Sequence, residues 1–190
     1  MQVKPVVRGD AVALTRELVR IDSRNPSLVP GGPGEAAVAR ALCAILTAWG
    51  FAAELRDAAP GRPNVVARIG KGGGRSLMFN GHLDVVGTDG MTHAPFDAHE
   101  SDGRMYGRGS CDMKAGVAAM CAAAVRAVDA GLEGEIIVAA VADEEYDSAG
   151  TRALVRSGVR ADGAIIAEPK LSSTPRSSRS TVRAKIRKSR

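Results

Sequence analysis

Apolar residues recur along the first fifty positions with the spacing of helices. Ala11, Leu14, Leu18 and Ile21 fall on one face of a segment that Asp10 is placed to cap, and Val38, Leu42, Ile45, Leu46 and Trp49 form a second stripe stopped at Gly50. Between them, residues 25–34 (NPSLVPGGPG) have the composition of a loop. Residues 51–55 and 64–69 read as short strands. Residues 70–74 (GKGGG) are glycine-rich but lack the Gly-Lys-Ser/Thr closure of a phosphate loop, so they predict a turn into a strand over 76–79. The irregular stretch 87–109 is long for a structureless connection, which points to a functional segment. A third helix is expected to open near Asp112, with Val117, Met120, Cys121, Ala124, Val125 and Val128 as its apolar stripe. A strand over 135–142, a helix near 148–156 and a strand over 163–167 complete a β-α-β-α-β order. That alternation predicts an α/β fold, a three-layer α/β/α sandwich around a mostly parallel mixed sheet.

Composition narrows the picture. At 190 residues the chain holds one domain with a real core. Aromatics are only 3%, so that core is built from Ala, Val, Leu and Ile. Three cysteines without CxxC spacing indicate neither a disulfide framework nor a cysteine zinc site, which suits a reduced, cytoplasmic setting. Residues 1–10 lack the apolar region of a signal peptide, and the longest uncharged apolar stretch, 115–125, is too short to span a membrane.

Charge divides the chain. All 21 acidic residues lie in 1–169, which carries a net −3, whereas 170–190 hold eight basic residues and no acid. The basic segment contains too little apolar surface to offset its ordering entropy and is expected to be disordered. Two origins compete for it: a basic arm for nucleic acid, the less favoured, and out-of-frame translation replacing the sequence that belongs there.

Against this background four acidic segments stand out: Gly81-His82-Leu83-Asp84, Cys111-Asp112-Met113, Asp143-Glu144-Glu145 and Glu168-Pro169. Three of them follow apolar strand-like runs, and in an open α/β sheet ligands bind beyond the carboxyl ends of the strands. Each is ordinary alone. An HxD pair is common at turns, Asp112 suits a helix N-terminus, Glu144 and Glu145 suit the start of the next helix, and Glu168 suits a solvated loop. Gathered at one edge they make a cation site, with more oxygen and nitrogen ligands than one tetrahedral ion needs. Asp84, two residues from His82, is placed to orient the imidazole. Of Glu144 and Glu145, which point apart, one can ligate a metal while the other acts as a general base on water. Residue chemistry alone leaves open which does which.

The strings Asn80-Gly-His-Leu-Asp-Val-Val, Met91-Thr-His-Ala-Pro-Phe, Tyr106-Gly-Arg-Gly-Ser-Cys-Asp-Met-Lys, Ala142-Asp-Glu-Glu and Ala167-Glu-Pro resemble, in order and spacing, the dinuclear zinc peptidases and deacylases. That family includes acetylornithine deacetylase, succinyl-diaminopimelate desuccinylase, aminoacylase and glutamate carboxypeptidase, and the likeness runs from about residue 9 to 169. It implies hydrolysis of an N-acyl or peptide amide of a small amino-acid-like substrate, with two Zn²⁺ ions for which Co²⁺ can substitute. By this resemblance Asp112 bridges the ions, His82 and Glu168 complete one ligand set and Glu145 belongs to the other. Asp84 would orient His82, and Glu144 would be the general base. The family also carries an inserted lid domain that mediates homodimerisation, followed by a further His ligand. Residues 1–169 therefore read as the N-terminal part of such a catalytic domain, incomplete on this count, and an inactive fragment of the enzyme is the rival expectation. Ala115-Gly116 also stand where the family more often has two glycines.

Overall fold

The computed structural model describes residues 5–169; the basic segment 170–190 lies outside the described residues. Two helices come first, α1 (Ala11–Val19) and α2 (Ala36–Ala48). Asp10 caps α1 as expected, its carboxylate accepting from the Ala13 amide at 2.9 Å. Three strands follow, β1 (Ala52–Ala59), β2 (Arg62–Gly70) and β3 (Ser76–His82), then a small hairpin of β4 (His99–Ser101) and β5 (Arg104–Tyr106). Helix α3 (Ala115–Asp129), β6 (Glu135–Val141), α4 (Ala149–Arg156) and β7 (Gly163–Ile166) complete the order.

The main sheet runs β1-β2-β6-β3-β7. It is mixed: β1–β2 and β2–β6 are antiparallel, while β6–β3 and β3–β7 are parallel. Parallel pairing is thus confined to the three strands whose carboxyl ends carry three of the four acidic segments. The pairing of His82 with Val141 sets those ends level. Strand β6 is apolar and buried from Ile136 to Val141 because both faces are covered, the pattern of a central α/β strand.

One face of the sheet, through Val65, Phe79, Val138 and Ala140, packs against Leu14 and Leu18 of α1, Leu42 and Leu46 of α2, and Val117 and Cys121 of α3. The other face is thinner, with Val66, Ile137, Ala139 and Val141 meeting Leu154 of α4. The result is the expected three-layer α/β/α sandwich. Truncating any of the fully buried leucines to alanine would cost about 2–5 kcal/mol, so the three-helix face supplies most of the packing. Among the described residues no helix is long and apolar enough to cross a membrane.

Three local features differ from the sequence expectations. The strands expected over 51–55 and 64–69 are longer and form one hairpin, in which Ala59 pairs with Arg62 across the Pro60-Gly61 turn. The stretch 87–109 is not structureless throughout, since it holds the β4–β5 hairpin. Asp112 does not open the third helix. It lies in a turn of residues 110–114, with extended backbone (φ −113°, ψ 101°), and α3 starts only at Ala115. Gly109 enters that turn in the left-handed region (φ 81°), where a side chain would be strained.

Candidate metal centre

Beyond β3 the chain stays extended. Leu83 and Val85 are fully buried, and the intervening Asp84 shares the side of His82. The segment is pinned on both flanks, with the Leu83 amide on the Val141 carbonyl (2.9 Å) and the Val85 amide on the Ser23 carbonyl (3.1 Å). His82 is consequently enclosed, its side chain 1% exposed.

Its two ring nitrogens have separate tasks. Nδ1 lies 2.9 Å from the Asp84 carbonyl, which can only accept, so Nδ1 carries a proton. The Asp84 carboxylate is 3.6 Å from the same nitrogen. Nε2 faces outward into carboxylates: Asp112 Oδ1 at 3.1 Å, Glu144 Oε2 at 3.7 Å and Glu168 Oε2 at 3.8 Å. The imidazole, Asp112 and Glu168 each offer a ligand atom within 4.8 Å of the others, a set able to hold a metal ion. The ends of β6 and β7 and the turn before α3, far apart in sequence, thus converge on one nitrogen at the end of β3, the edge where an open α/β sheet binds ligands. Glu144 joins this group at its rim. Glu145 lies outside the triad but within the electrostatic field of His82, Asp112, Asp84 and Glu144.

The electrostatics show a site with too much negative charge. Burial opposes protonation of His82, yet hydrogen bonds to Asp112 and Asp84 and the fields of Asp84 and Glu144 prevail, raising its pKa from 6.5 to about 11. Asp112 is held below the ordinary carboxylate range chiefly by its hydrogen bond to His82. Asp84 is also lowered: burial resists, but His82, Asn25 and the Glu144 amide outweigh it. One imidazolium does not satisfy five carboxylates. Burial, added to repulsion from Asp112 and Glu144, pushes Glu168 up to about 7 against the attraction of His82. Glu145 is raised for similar reasons, burial first. A centre that recruits protons onto both a histidine and a glutamate has the charge deficit that divalent cations relieve.

Lys114, the last residue of the turn, does not face this cluster. Fully buried, it donates through Nζ to the carbonyls of Leu18 (3.0 Å) and Ile21 (2.9 Å), tying the Asp112 turn to the end of α1. Burial pushes its pKa down to about 7, and Asp22 offsets this only in part.

Several residues at the site were not legible in advance. Asn25 sits in what composition marks as a loop, Glu35 precedes α2, and Arg62 and Asn64 begin β2, yet all four side chains reach the segment that carries Glu144 and Glu145. Their only sequence signal is polarity beside apolar runs.

Fold and cluster together define an α/β domain with a candidate metal centre at the carboxyl edge of its parallel strands. The chain belongs to Peptidase family M20/M25/M40, whose profile matches residues 78–182. It is 39% identical over 170 residues to a succinyl-diaminopimelate desuccinylase of Paracoccus denitrificans, covering 84% of this chain and 42% of that one. The chain therefore spans about two fifths of the length of the curated relative it matches. An M20-family metallo-carboxypeptidase from Sulfolobus solfataricus shares the fold with TM-score 0.72 at 23% identity, over 83% of this chain and 37% of that one. A dinuclear-metal-binding M20-family peptidase from Bacillus subtilis superposes with TM-score 0.60 at 19% identity, over 84% and 42% of the two chains.

Proposed function

We propose that this chain forms the metal-binding half of a metal-dependent amide hydrolase acting on N-acyl amino acids or short peptides, with an N-succinyl amino acid as the favoured substrate class. The observation that carries the reading is the convergence of Asp112, Glu144 and Glu168 on Nε2 of buried His82 at 3.1–3.8 Å. The preference for a succinyl group rests on the desuccinylase relative.

Imidazole and carboxylate donors with this charge deficit fit zinc, and cobalt(II) accepts the same donors. His82, Asp112 and Glu168 would hold one ion; Asp112, as a bridge, and Glu145 would contribute to a second. Bound there, such ions polarise a substrate carbonyl and acidify water. The chain's own residues do the rest. Asp84 keeps Nδ1 protonated, through its carbonyl, so that Nε2 presents its lone pair to a metal. Glu144, half-exposed at the rim, takes a proton from the attacking water as the carbon–oxygen bond forms. It returns that proton to the amide nitrogen as the carbon–nitrogen bond breaks, so the products are a carboxylic acid, which then ionises to the carboxylate by releasing its proton to solvent, and a free amine.

Calorimetric titration with Zn²⁺ tests the ligand set, and hydrolysis of N-succinyl and N-acetyl amino acids tests the chemistry. Asp112→Asn should weaken metal binding by about 10-fold or more. Glu144→Gln should keep the metal and lower turnover by about 100-fold or more. Metal affinity unchanged by Asp112→Asn would refute the ligand assignment, and full turnover in Glu144→Gln would refute the base.

A further inference from the structure

Four consecutive backbone amides at the end of β6 donate to side chains rather than to a neighbouring strand. Ala142 N–H goes to Asn64 Oδ1 at 2.9 Å, and Asp143 N–H to Glu35 Oε1 at 3.1 Å. The amides of Glu144 and Glu145 both go to the Asp84 carboxylate, at 3.0 and 3.1 Å. These acceptors are almost wholly buried, and each is held in turn. Arg62 grips Glu35 with two nitrogens and donates a third N–H to Asp143 Oδ1 at 2.8 Å. Asn25 spans Asp84 Oδ2 at 2.7 Å and Asp143 Oδ1 at 3.0 Å. Asp143 itself has left-handed backbone (φ 64°), a conformation unfavourable for a non-glycine residue and maintained only where surroundings impose it.

From this arrangement we infer that Arg62, through its fork on Glu35 and Asp143, is a positioning residue that sets the direction of the Glu144 and Glu145 side chains. The inference rests on the proposed roles of those two glutamates for its catalytic meaning, but not for its geometry. Two adjacent side chains on an unpaired turn would otherwise sample many orientations. Here the turn's backbone is fixed at each successive amide before any ligand arrives. Arg62 suits the task because a planar guanidinium can bond two carboxylates at once in fixed relative orientation, which a lysine ammonium cannot. The network also joins separate parts of the centre, since Asp84 carries both the His82 contact and the Glu144 and Glu145 amides.

The test is hydrogen exchange on the metal-free chain, comparing the parent with Arg62→Met and Arg62→Lys. Exchange at the amides of Asp143, Glu144 and Glu145 should rise by about 10- to 100-fold in Arg62→Met, the scale of one lost charge-assisted hydrogen bond. Amides of β6 should rise by less, and Arg62→Lys should restore part of the protection. Unchanged exchange at 143–145, or a rise equal to that across β6, would overturn the inference. Should Arg62→Met not fold, a smaller rise in Arg62→Lys confined to 143–145 is the expected result, and its absence overturns the inference equally. A Co²⁺ titration followed by visible absorption forms the second arm, with affinity in Arg62→Lys expected to fall by about 10-fold. If the parent binds no Co²⁺, the metal-centre reading fails and the exchange result alone decides the role of Arg62.

Discussion

Replacing Gly150 with alanine places a methyl group where the end of β6 meets α4. The added carbon would stand 2.4 Å from the Ala142 carbonyl oxygen and 2.5 Å from both the Ala142 nitrogen and Asn64 Oδ1. Two of these atoms are backbone, and the third belongs to a side chain already committed to the Ala142 amide and, through Nδ2, to the Gly150 carbonyl at 2.8 Å. None can swing aside. Ordinary contact lies near ~3.5 Å, so α4 must retreat by about 1 Å. That strains the Gly150 amide to Ala142 carbonyl bond, now 3.0 Å, together with the Asn64 bonds. Overpacking of this kind costs about 1–3 kcal/mol, and each weakened buried hydrogen bond adds about 1 kcal/mol. The better helix propensity of alanine returns about 1 kcal/mol. A net loss of about 2–4 kcal/mol corresponds to a Tm lower by about 5–15 °C for a domain of this size. Thermal melting followed by far-ultraviolet circular dichroism reads it directly. Gly158→Ala is the control: it has open space around it but φ of 76°, so only backbone strain of about 1–2 kcal/mol is expected. Gly150→Ala melting within about 2 °C of the parent, or a larger loss in the control, would refute the steric argument.

Further outcomes follow from the shifted titrations of His82, Glu168 and Lys114. His82 and Glu168, with pKa values near 11 and 7 in the absence of metal, must shed protons to serve as ligands, so Zn²⁺ affinity should rise with pH. Calorimetry in buffers of different ionisation enthalpy should count at least one proton released per ion at pH 7; no release would contradict it. Without metal the same raised values act oppositely on stability: the His82 contribution is full below 6.5 and is lost as pH climbs toward about 11. Lys114 has the reverse sign, because its depressed pKa gives a contribution present above 10.5 and lost as pH falls to about 7. Lys114→Met strands the Leu18 and Ile21 carbonyls and should destabilise the fold by about 1–3 kcal/mol. Denaturant melts should show that loss growing between pH 7 and 9.5, and a loss that shrinks over that interval would contradict the assignment.

The elements most legible in the sequence are those defined by one local period. The stripe Leu14–Leu18 with Asp10 before it, and the unbroken apolar run of β6, each carry their own evidence, and the structure places both as expected. Asp112 shows the limit. The stripe of α3 extrapolates back to it, but at 110–114 Met113 is buried beside Gly81 of β3 and Lys114 is tied to the Leu18 carbonyl of α1, long-range contacts that periodicity does not encode. Arg62 and Glu35 show another limit. Glu35 meets the Asp143 amide across 108 residues of sequence, and a polar residue at a strand start or before a helix looks the same whether solvated or locked in a network. The site's acids were visible because they sit in short strings after strands; what holds them was not.

Asp84 joins the two levels. Two-residue spacing suffices to set it beside His82, and its carbonyl and carboxylate both lie close to Nδ1. Its stronger carboxylate bonds, however, go to Asn25 and to the amides of Glu144 and Glu145. A buried carboxylate bonded to three donors cannot shift toward one without releasing another. The orientation of the imidazole and the orientation of the glutamate turn are therefore coupled through this residue. Asp84→Asn would leave the size of the side chain unchanged but replace one acceptor oxygen with a donor facing amides or Asn25. Its effect should reach both halves of the centre, which a residue serving His82 alone would not do.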